Sequence, residues 1–456
     1  MGIIATPPGT RRTAIHHQRD ESLIALLRYA GEIAVVIVLL VMVLIGVLSV
    51  THGTPVRTVI SPGKSDRPPA VGDSLFAEAM ELYTSTHFSR GNSVTLCLNG
   101  DGTYPRLWDD ISSAKHTLTV QMYYSEPGKI ANEMRDRLVE RARAGVRVLV
   151  LLDAFGSGPL RKTDFVDKLR AAGAHVAWLR SIRWYTLNRA ATRSHVRVVV
   201  IDGHIGYTGG FGLADYWQGD GHHDRQWRES NVRFEGPAVA ALQAAFTAGW
   251  AEATGTLLTG DMFFPPAIFE PVGNTVAGLM YTTPAVGSTI AERFLALTIA
   301  SAQKTLYITN SYFVPDAEFR TMLIDAVRRG VDVRVITAGD KSDVKTTVFA
   351  GRAYYDELLR GGVHIYEYSP TMMHAKTIVA DGLWSSVGSM NFDNRSMAFN
   401  NESNLNVLDS GFGAQMDSVF MDDLKYSKEI KLPGWEHRSL YERTIEWGAE
   451  KLWRVL

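Results

Sequence analysis

The chain has 456 residues, 46% of them hydrophobic and 21% charged, a composition that builds folded cores and excludes a disordered protein. At this length two or three structural units are expected, and the formal net charge of −1 supplies no bulk field to gather nucleic acid. Cys97 is the only cysteine, which rules out an intrachain disulfide framework or a cysteine-rich metal site.

Residues 33 to 51, IAVVIVLLVMVLIGVLSVT, carry no charge over 19 residues, enough for a helix to cross a bilayer core of roughly 30 Å. The segment reads as an uncleaved anchor after a tail of residues 1–32; no small-x-small site marks it as a cleaved signal peptide. Arg11, Arg12, Arg19 and Arg28 precede it and Arg57, Lys64 and Arg67 follow, a slight bias toward an inside N-terminus that leaves the membrane side open. THGTPVRTVISPGKSDRPPAVG is a Pro- and Gly-rich tether, and SLFAEAMELYTSTHF after it predicts a helix.

The body is duplicated. ISSAKHTLTVQMYY from Ile111 matches IASAQKTLYITNSYF from Ile299. Each is followed by a helical stretch, an apolar strand (AGVRVLVLL, VDVRVI), another helix and a short strand. Apolar strands alternating with amphipathic helices predict an α/β repeat around buried sheets, divided near TGDMFFPPAIFEPVG. Each half ends the series with a histidine strand: SHVRVVVIDGHIGYTGGFG and MMHAKTIVADGLWSSVGSMNF. Residues two apart on a strand share a face, so His195 pairs with Arg197 and His374 with Lys376. One such pair reads as an ordinary core histidine; the same pair at the same place in two repeats predicts a shared cleft.

That set suits phosphodiester chemistry. Arg197 and Lys376 can neutralise the non-bridging oxygens, one imidazole can attack phosphorus, and the other can move the proton of the leaving and entering alcohols. The cations make a metal unnecessary, and no cofactor is expected. Glu229 in WRESNVRF and Glu402 in NNESNLNV hold matching positions, and a carboxylate behind each imidazole would fix its tautomer.

MHAKTIVADGLWSSVGSMNFDNRS resembles the phospholipase D superfamily signature, H-x-K-x4-D-x6-G-[SG]-x-N, giving His374, Lys376, Asp381, Gly388, Ser389 and Asn391. The first half supplies His195, Asp202, Gly209 and Gly210, with Arg197 in the lysine position and Gly212 where the second half has Asn391. NSYFVPD, IYEYSPTMMHAK and WRESNVRFEGPAVAALQAAFTAGW resemble bacterial cardiolipin synthases, over roughly residues 96 to 430. The resemblance implies two tandem phospholipase D-type α/β domains, a mixed sheet flanked by helices in pseudo-two-fold arrangement, after one N-terminal transmembrane helix. It implies a phosphohistidine on the first-half histidine, a substrate phosphate held by Ser389, Asn391 and Gly210, and structural roles for Asp202 and Asp381. The expected segments are a tail (1–32), anchor (33–51), linker and helix (52–95), first domain (96–258), linker (259–280), second domain (281–430) and C-terminal helix (431–456).

The implied activity is a membrane-anchored phosphatidyltransferase joining two phosphatidylglycerols into cardiolipin, its partners a phospholipid and the membrane, without nucleic acid. A phospholipase D hydrolase, a nuclease and a non-catalytic binder of anionic lipid are the rivals; the oligomeric state is not read. Arg180, Arg183, Arg189 and Arg193 beside Arg197 form either a solvated loop or an anionic headgroup clamp. His222, His223 and Asp224 read as rim groups rather than metal ligands, and DMFFPPAIF as a linker packing its phenylalanines. The tail from Ser439, with Tyr441, Ile445, Gly448, Leu452 and Val455 on one face, reads as a docked helix or a membrane-surface one.

Overall fold

The computed structural model describes residues 2, 26–44, 55–60, 68–181, 192–284 and 289–452. Two units are distinct, Met1–Gly53 and Thr54–Leu456. The first carries the helix Leu26–Leu44, long and apolar enough by length and composition to cross a membrane. It starts seven residues before the expected span, taking in Arg28 and Glu32; residues 45–51 of that span, Arg11, Arg12, Arg19, Lys64 and Arg67 lie outside the described residues.

In the second unit the first half contributes β1 (Ser89–Leu98), β2 (Thr117–Met122), β3 (Arg147–Asp153), β4 (His175–Leu179), β5 (Val198–Ile201), β6 (Ile205–Gly209) and β7 (Ser230–Glu235). The second contributes β8 (Thr275–Thr282), β9 (Thr305–Asn310), β10 (Asp332–Ala338), β11 (His364–Tyr368), β12 (Lys376–Ala380), β13 (Trp384–Gly388), β14 (Glu402–Leu408) and β15 (Ser427–Ile430). The hydrogen-bonded order is β15-β11-β10-β9-β12-β13-β14-β8-β1-β7-β6-β5-β2-β3-β4. Read outward from the β8–β1 junction, the two halves repeat one topology. In each, a parallel set (β2-β3-β4, β9-β10-β11) meets an antiparallel one along the histidine strand, β5 on β2 and β12 on β9. The all-buried β2, and β3, buried beyond Arg147, are covered by helices such as Lys129–Arg143, which turns Ile130, Met134 and Leu138 inward at helical spacing.

The halves also share a core. Val198, Val200, Val232 and Phe234 of the first lie in one apolar cluster with Leu279, Val379, Val387, Leu405 and Val407 of the second. The expected two domains are therefore halves of one compact unit, with the histidine strands brought to its centre.

The boundaries shift accordingly. The segment expected as linker and helix contains Ser74–Thr84, whose Phe76 and Met80 are buried in the second half's core beside Phe294 and Trp384, and then β1. The expected linker 259–280 contains the start of β8; its Phe263 and Ile268 are buried while Met262 and Phe269 are exposed. The C-terminal segment holds two helices, Leu432–Glu436 and Leu440–Glu450. The latter docks on the helix Lys345–Arg352 by an unexpected face: Glu446, bonded to Arg438 at 2.8 Å, and Ala449 are buried, while Tyr441 and Trp447 are exposed. Val455 lies outside the described residues.

Candidate active site

Each histidine stands just before its strand, and its backbone is tied to the opposite half. The His195 N–H donates to the Asn401 carbonyl (2.9 Å) and Asn401 N–H to the Arg193 carbonyl (2.9 Å). On the other side the His374 N–H donates to the Arg228 carbonyl (2.7 Å) and Arg228 N–H to the Met372 carbonyl (2.9 Å). Asn401 and Arg228 immediately precede Glu402 and Glu229, so the same straps carry the carboxylates across. Glu229 reaches His374 Nδ1 at 2.5 Å, and Glu402 lies 3.3 Å from His195 Nδ1 without hydrogen-bond alignment. The pairing is crossed: the carboxylate of each repeat serves the histidine of the other.

The two cations differ in their seats. Lys376 Nζ donates to Ser311 Oγ (2.6 Å) and the His374 carbonyl (2.5 Å). Arg197 donates to the Phe211 carbonyl (3.3 Å) and to the His195 carbonyl, its guanidinium carbon 5.5 Å from the Tyr123 ring centre. Thr119 pairs with Val200 and Tyr307 with Val379, so Tyr123 occupies in the first half the place of Ser311 in the second. The residue beside the cation therefore changed along with the cation.

Asp202 and Asp381 close the turns after the histidine strands. Asp202 accepts backbone N–H groups from Lys115, His116 and Thr117, each at 2.7 Å, and Asp381 those of Gln303, Lys304 and Thr305. Both take the left-handed conformation (φ 51° and 55°), which a short polar side chain tolerates.

Three residues expected at the phosphate divide. Asn391 lines the central cavity. Ser389 does not line it: its buried hydroxyl donates to Glu402 at 2.6 Å and accepts the Ser403 N–H at 2.9 Å. The Gly210 N–H is likewise engaged, by Asn231 Oδ1 at 3.1 Å, and a Cβ there would stand 2.4 Å from Glu229 Oε2. Ser389 and Gly210 thus seat the two carboxylates rather than face the cavity. A Cβ on Gly212 would stand 2.7 Å from the Trp217 ring, so indole fills the place of the missing asparagine side chain.

The cavity encloses about 530 Å³ and brings together His195, Arg197, His374, Lys376 and Asn391. Burial pushes both imidazoles below their usual value: well below for His374, where Lys376 and Arg197 add to the effect, and against the opposing pull of Glu402 for His195. Burial likewise raises Glu229 to about 7 and lowers Lys376 to about 7. Burial thus favours the neutral form of both imidazoles.

Sequence reasoning missed the wall. Tyr124, Tyr216, Trp217, Trp227 and Tyr312 line the cavity, and Trp217 and Trp227 flank His374 at 5.2 and 5.0 Å. The repeat held part of the signal, since Tyr124 and Tyr312 fall at equivalent positions two residues beyond β2 and β9. The described members of the arginine cluster, Arg180 and Arg193, meet protein partners, Arg193 also donating to the Arg180 carbonyl at 3.2 Å. Arg180 pairs with Glu252 at 2.9 Å, Arg193 is buried 3.7 Å from Asp153, and Arg183 and Arg189 lie outside the described residues. His222 meets the Tyr368 hydroxyl (2.9 Å), His223 meets Asp220 (2.9 Å) and Asp224 meets Lys341 (3.2 Å), three separate contacts.

The family described as "Cardiolipin synthase, PLD-like domain" matches residues 107–250 and 295–424, one stretch in each half. The chain is 33% identical to the major cardiolipin synthase of Bacillus subtilis (strain 168) over 79% of its own length and 74% of that protein. It is 31% identical to a cardiolipin synthase of Geobacillus sp. (strain WCH70), over 76% of the chain and 69% of the relative. The phosphatidylserine synthase of Haemophilus influenzae Rd KW20 shares the fold, with a TM-score of 0.61 at 13% identity over 83% of this chain and 97% of that one. With two repeats, two crossed histidine–carboxylate pairs and these relatives, the chain belongs to the phospholipase D superfamily, as an enzyme of its cardiolipin synthase family.

Proposed function

We propose that the protein transfers a phosphatidyl group from one phosphatidylglycerol to a hydroxyl of a second, forming cardiolipin and releasing glycerol. The observation that carries this reading is the pair of histidines with crossed carboxylates, facing one cavity that Arg197 and Lys376 also line. His195 attacks phosphorus through the ring nitrogen not turned to Glu402. The bond from phosphorus to the glycerol oxygen breaks as His374 gives that oxygen its proton. The acceptor's hydroxyl then yields a proton to His374 and attacks phosphorus, and the bond to His195 breaks. Arg197 and Lys376 offset the charge on the non-bridging oxygens in both steps. The relatives' names support the substrate class, and the helix Leu26–Leu44 supports a membrane anchor for the enzyme.

Purified full-length protein in phosphatidylglycerol-containing mixed micelles is expected to yield cardiolipin and glycerol by mass spectrometry, and His195→Ala and His374→Ala variants to yield neither. Phosphatidic acid without cardiolipin would move the reading to hydrolysis. A pH profile gives a second check. Lys376 loses its charge as pH rises through about 7, so kcat/KM is expected to fall above that point. Lys376→Arg should move that falling limb to higher pH, because a guanidinium stays charged there.

A further inference from the structure

The two crossed pairs are not equally braced. Arg228, whose carbonyl holds the His374 N–H and whose neighbour Glu229 holds the His374 ring, is itself clamped by Asp423 from the helix Ser410–Lys425 of the opposite half. The clamp is a two-pronged ion pair, Nε to Oδ1 at 2.7 Å and Nη2 to Oδ2 at 2.8 Å, with both side chains at most 4% exposed. Its remaining nitrogen donates to the Glu229 carbonyl (2.5 Å), Ser230 Oγ (3.1 Å) and Asn99 Oδ1 (3.3 Å). The equivalent of Arg228 on the other side is Asn401, whose side chain donates only to the Tyr281 hydroxyl (2.7 Å) and leaves Oδ1 without a partner. There the carboxylate contact is the loose one, 3.3 Å and unaligned. A planar fork held at two points fixes direction as well as distance, which a single amide contact does not.

We infer that Arg228 and Asp423 are positioning residues for His374, fixing through the Arg228 backbone and Glu229 the imidazole that moves protons in both steps. Neither touches the cavity, so they act through another residue. The assignment rests on the proposed transfer through a phosphohistidine.

The test separates positioning from general support through the leaving group. A phosphatidyl ester of p-nitrophenol needs no proton to release its leaving group, whereas phosphatidylglycerol does. Asp423→Asn is expected to slow turnover of phosphatidylglycerol about 10²-fold, the usual consequence of a misplaced catalytic group. The first burst of nitrophenolate should stay near the unmodified rate, while the second step, which still needs His374 as base, stalls. The phosphatidyl group should then accumulate on His195, detectable by mass spectrometry of the quenched protein. Because Asp423→Asn strands a buried charge, the companion variant is Arg228→Met with Asp423→Leu, an apolar exchange that buried ion pairs tolerate. It should melt near the unmodified protein and show the same selective loss. An active unmodified protein whose two variants slow burst and turnover alike, or whose apolar variant keeps full turnover, overturns the positioning role alone. A protein that, unmodified or as Asp423→Asn, releases nitrophenolate yet never carries a histidine-bound phosphatidyl group overturns the transfer reading, and the clamp's role with it.

Discussion

Glu229→Gln is expected to lower turnover of phosphatidylglycerol about 10²- to 10⁴-fold, the range over which a mispositioned or mistautomerised acid–base histidine acts. Glu229 accepts from His374 Nδ1 at 2.5 Å, which keeps the proton there and the other nitrogen basic. A glutamine can turn its amide N–H toward Nδ1 and favour the opposite tautomer. The crossing sets the kind of defect. Although Glu229 follows the first histidine in the chain, the variant should behave like a His374 variant. It should still take up the phosphatidyl group from a nitrophenyl ester onto His195, and should fail to pass that group on. Glu402→Gln should do the reverse, slowing the covalent step with either leaving group, and by less, because its contact with His195 is already long and unaligned. Single-turnover measurements of nitrophenolate release, beside the protein-bound phosphatidyl group, read the two phenotypes directly. Finding the Glu229 defect in the first step instead would mean that each half serves its own histidine.

Much of this arrangement was legible because the chain says it twice. The continuous apolar run in RVLVLLD marks a buried parallel strand, and the recurrence of a histidine two residues before a cation marks two equivalent strands. The turn-closing roles expected of Asp202 and Asp381 came with the resemblance to the phospholipase D signature, not from spacing alone. What the sequence could not carry is which half each side chain crosses into. Asn401 and Arg228 exchange backbone hydrogen bonds with residues about 200 and 150 positions away, and no local periodicity encodes such a strap. Ser389 and Gly210 were misplaced for a related reason, since a small residue in a signature fits a ligand or a neighbouring carboxylate equally well, and here the carboxylate has the place. The C-terminal helix is a further case. Its apolar stripe suggested the docked face, but the residues it buries are Glu446, paired with Arg438, and Ala449, while Tyr441 stays exposed.

Arg197→Lys is expected to lower kcat/KM for phosphatidylglycerol about 10²-fold, although it restores the residue found at the same position in the other half. An ammonium needs a seat, and Lys376 has one in Ser311 Oγ at 2.6 Å. At position 197 the register puts Tyr123 where that serine would be, against the His195 ring at 4.2 Å and facing the guanidinium. A lysine there would lose the fork that presently reaches the Phe211 and His195 carbonyls, and would meet an aromatic face in place of a hydroxyl. Adding Tyr123→Ser supplies the hydroxyl, and the double variant is expected to recover to within about tenfold of the unmodified enzyme, a coupling that a double-mutant cycle measures. Arg197→Met, which removes the charge, should lie about 10³-fold down with or without Tyr123→Ser, because no seat can replace a missing cation. If Arg197→Lys alone matched the unmodified enzyme, the charge would be all that matters at this position. If instead the serine rescues the lysine and not the methionine, arginine and tyrosine are one exchanged pair, and the first half is a second working solution to holding a phosphate rather than a decayed copy of the other.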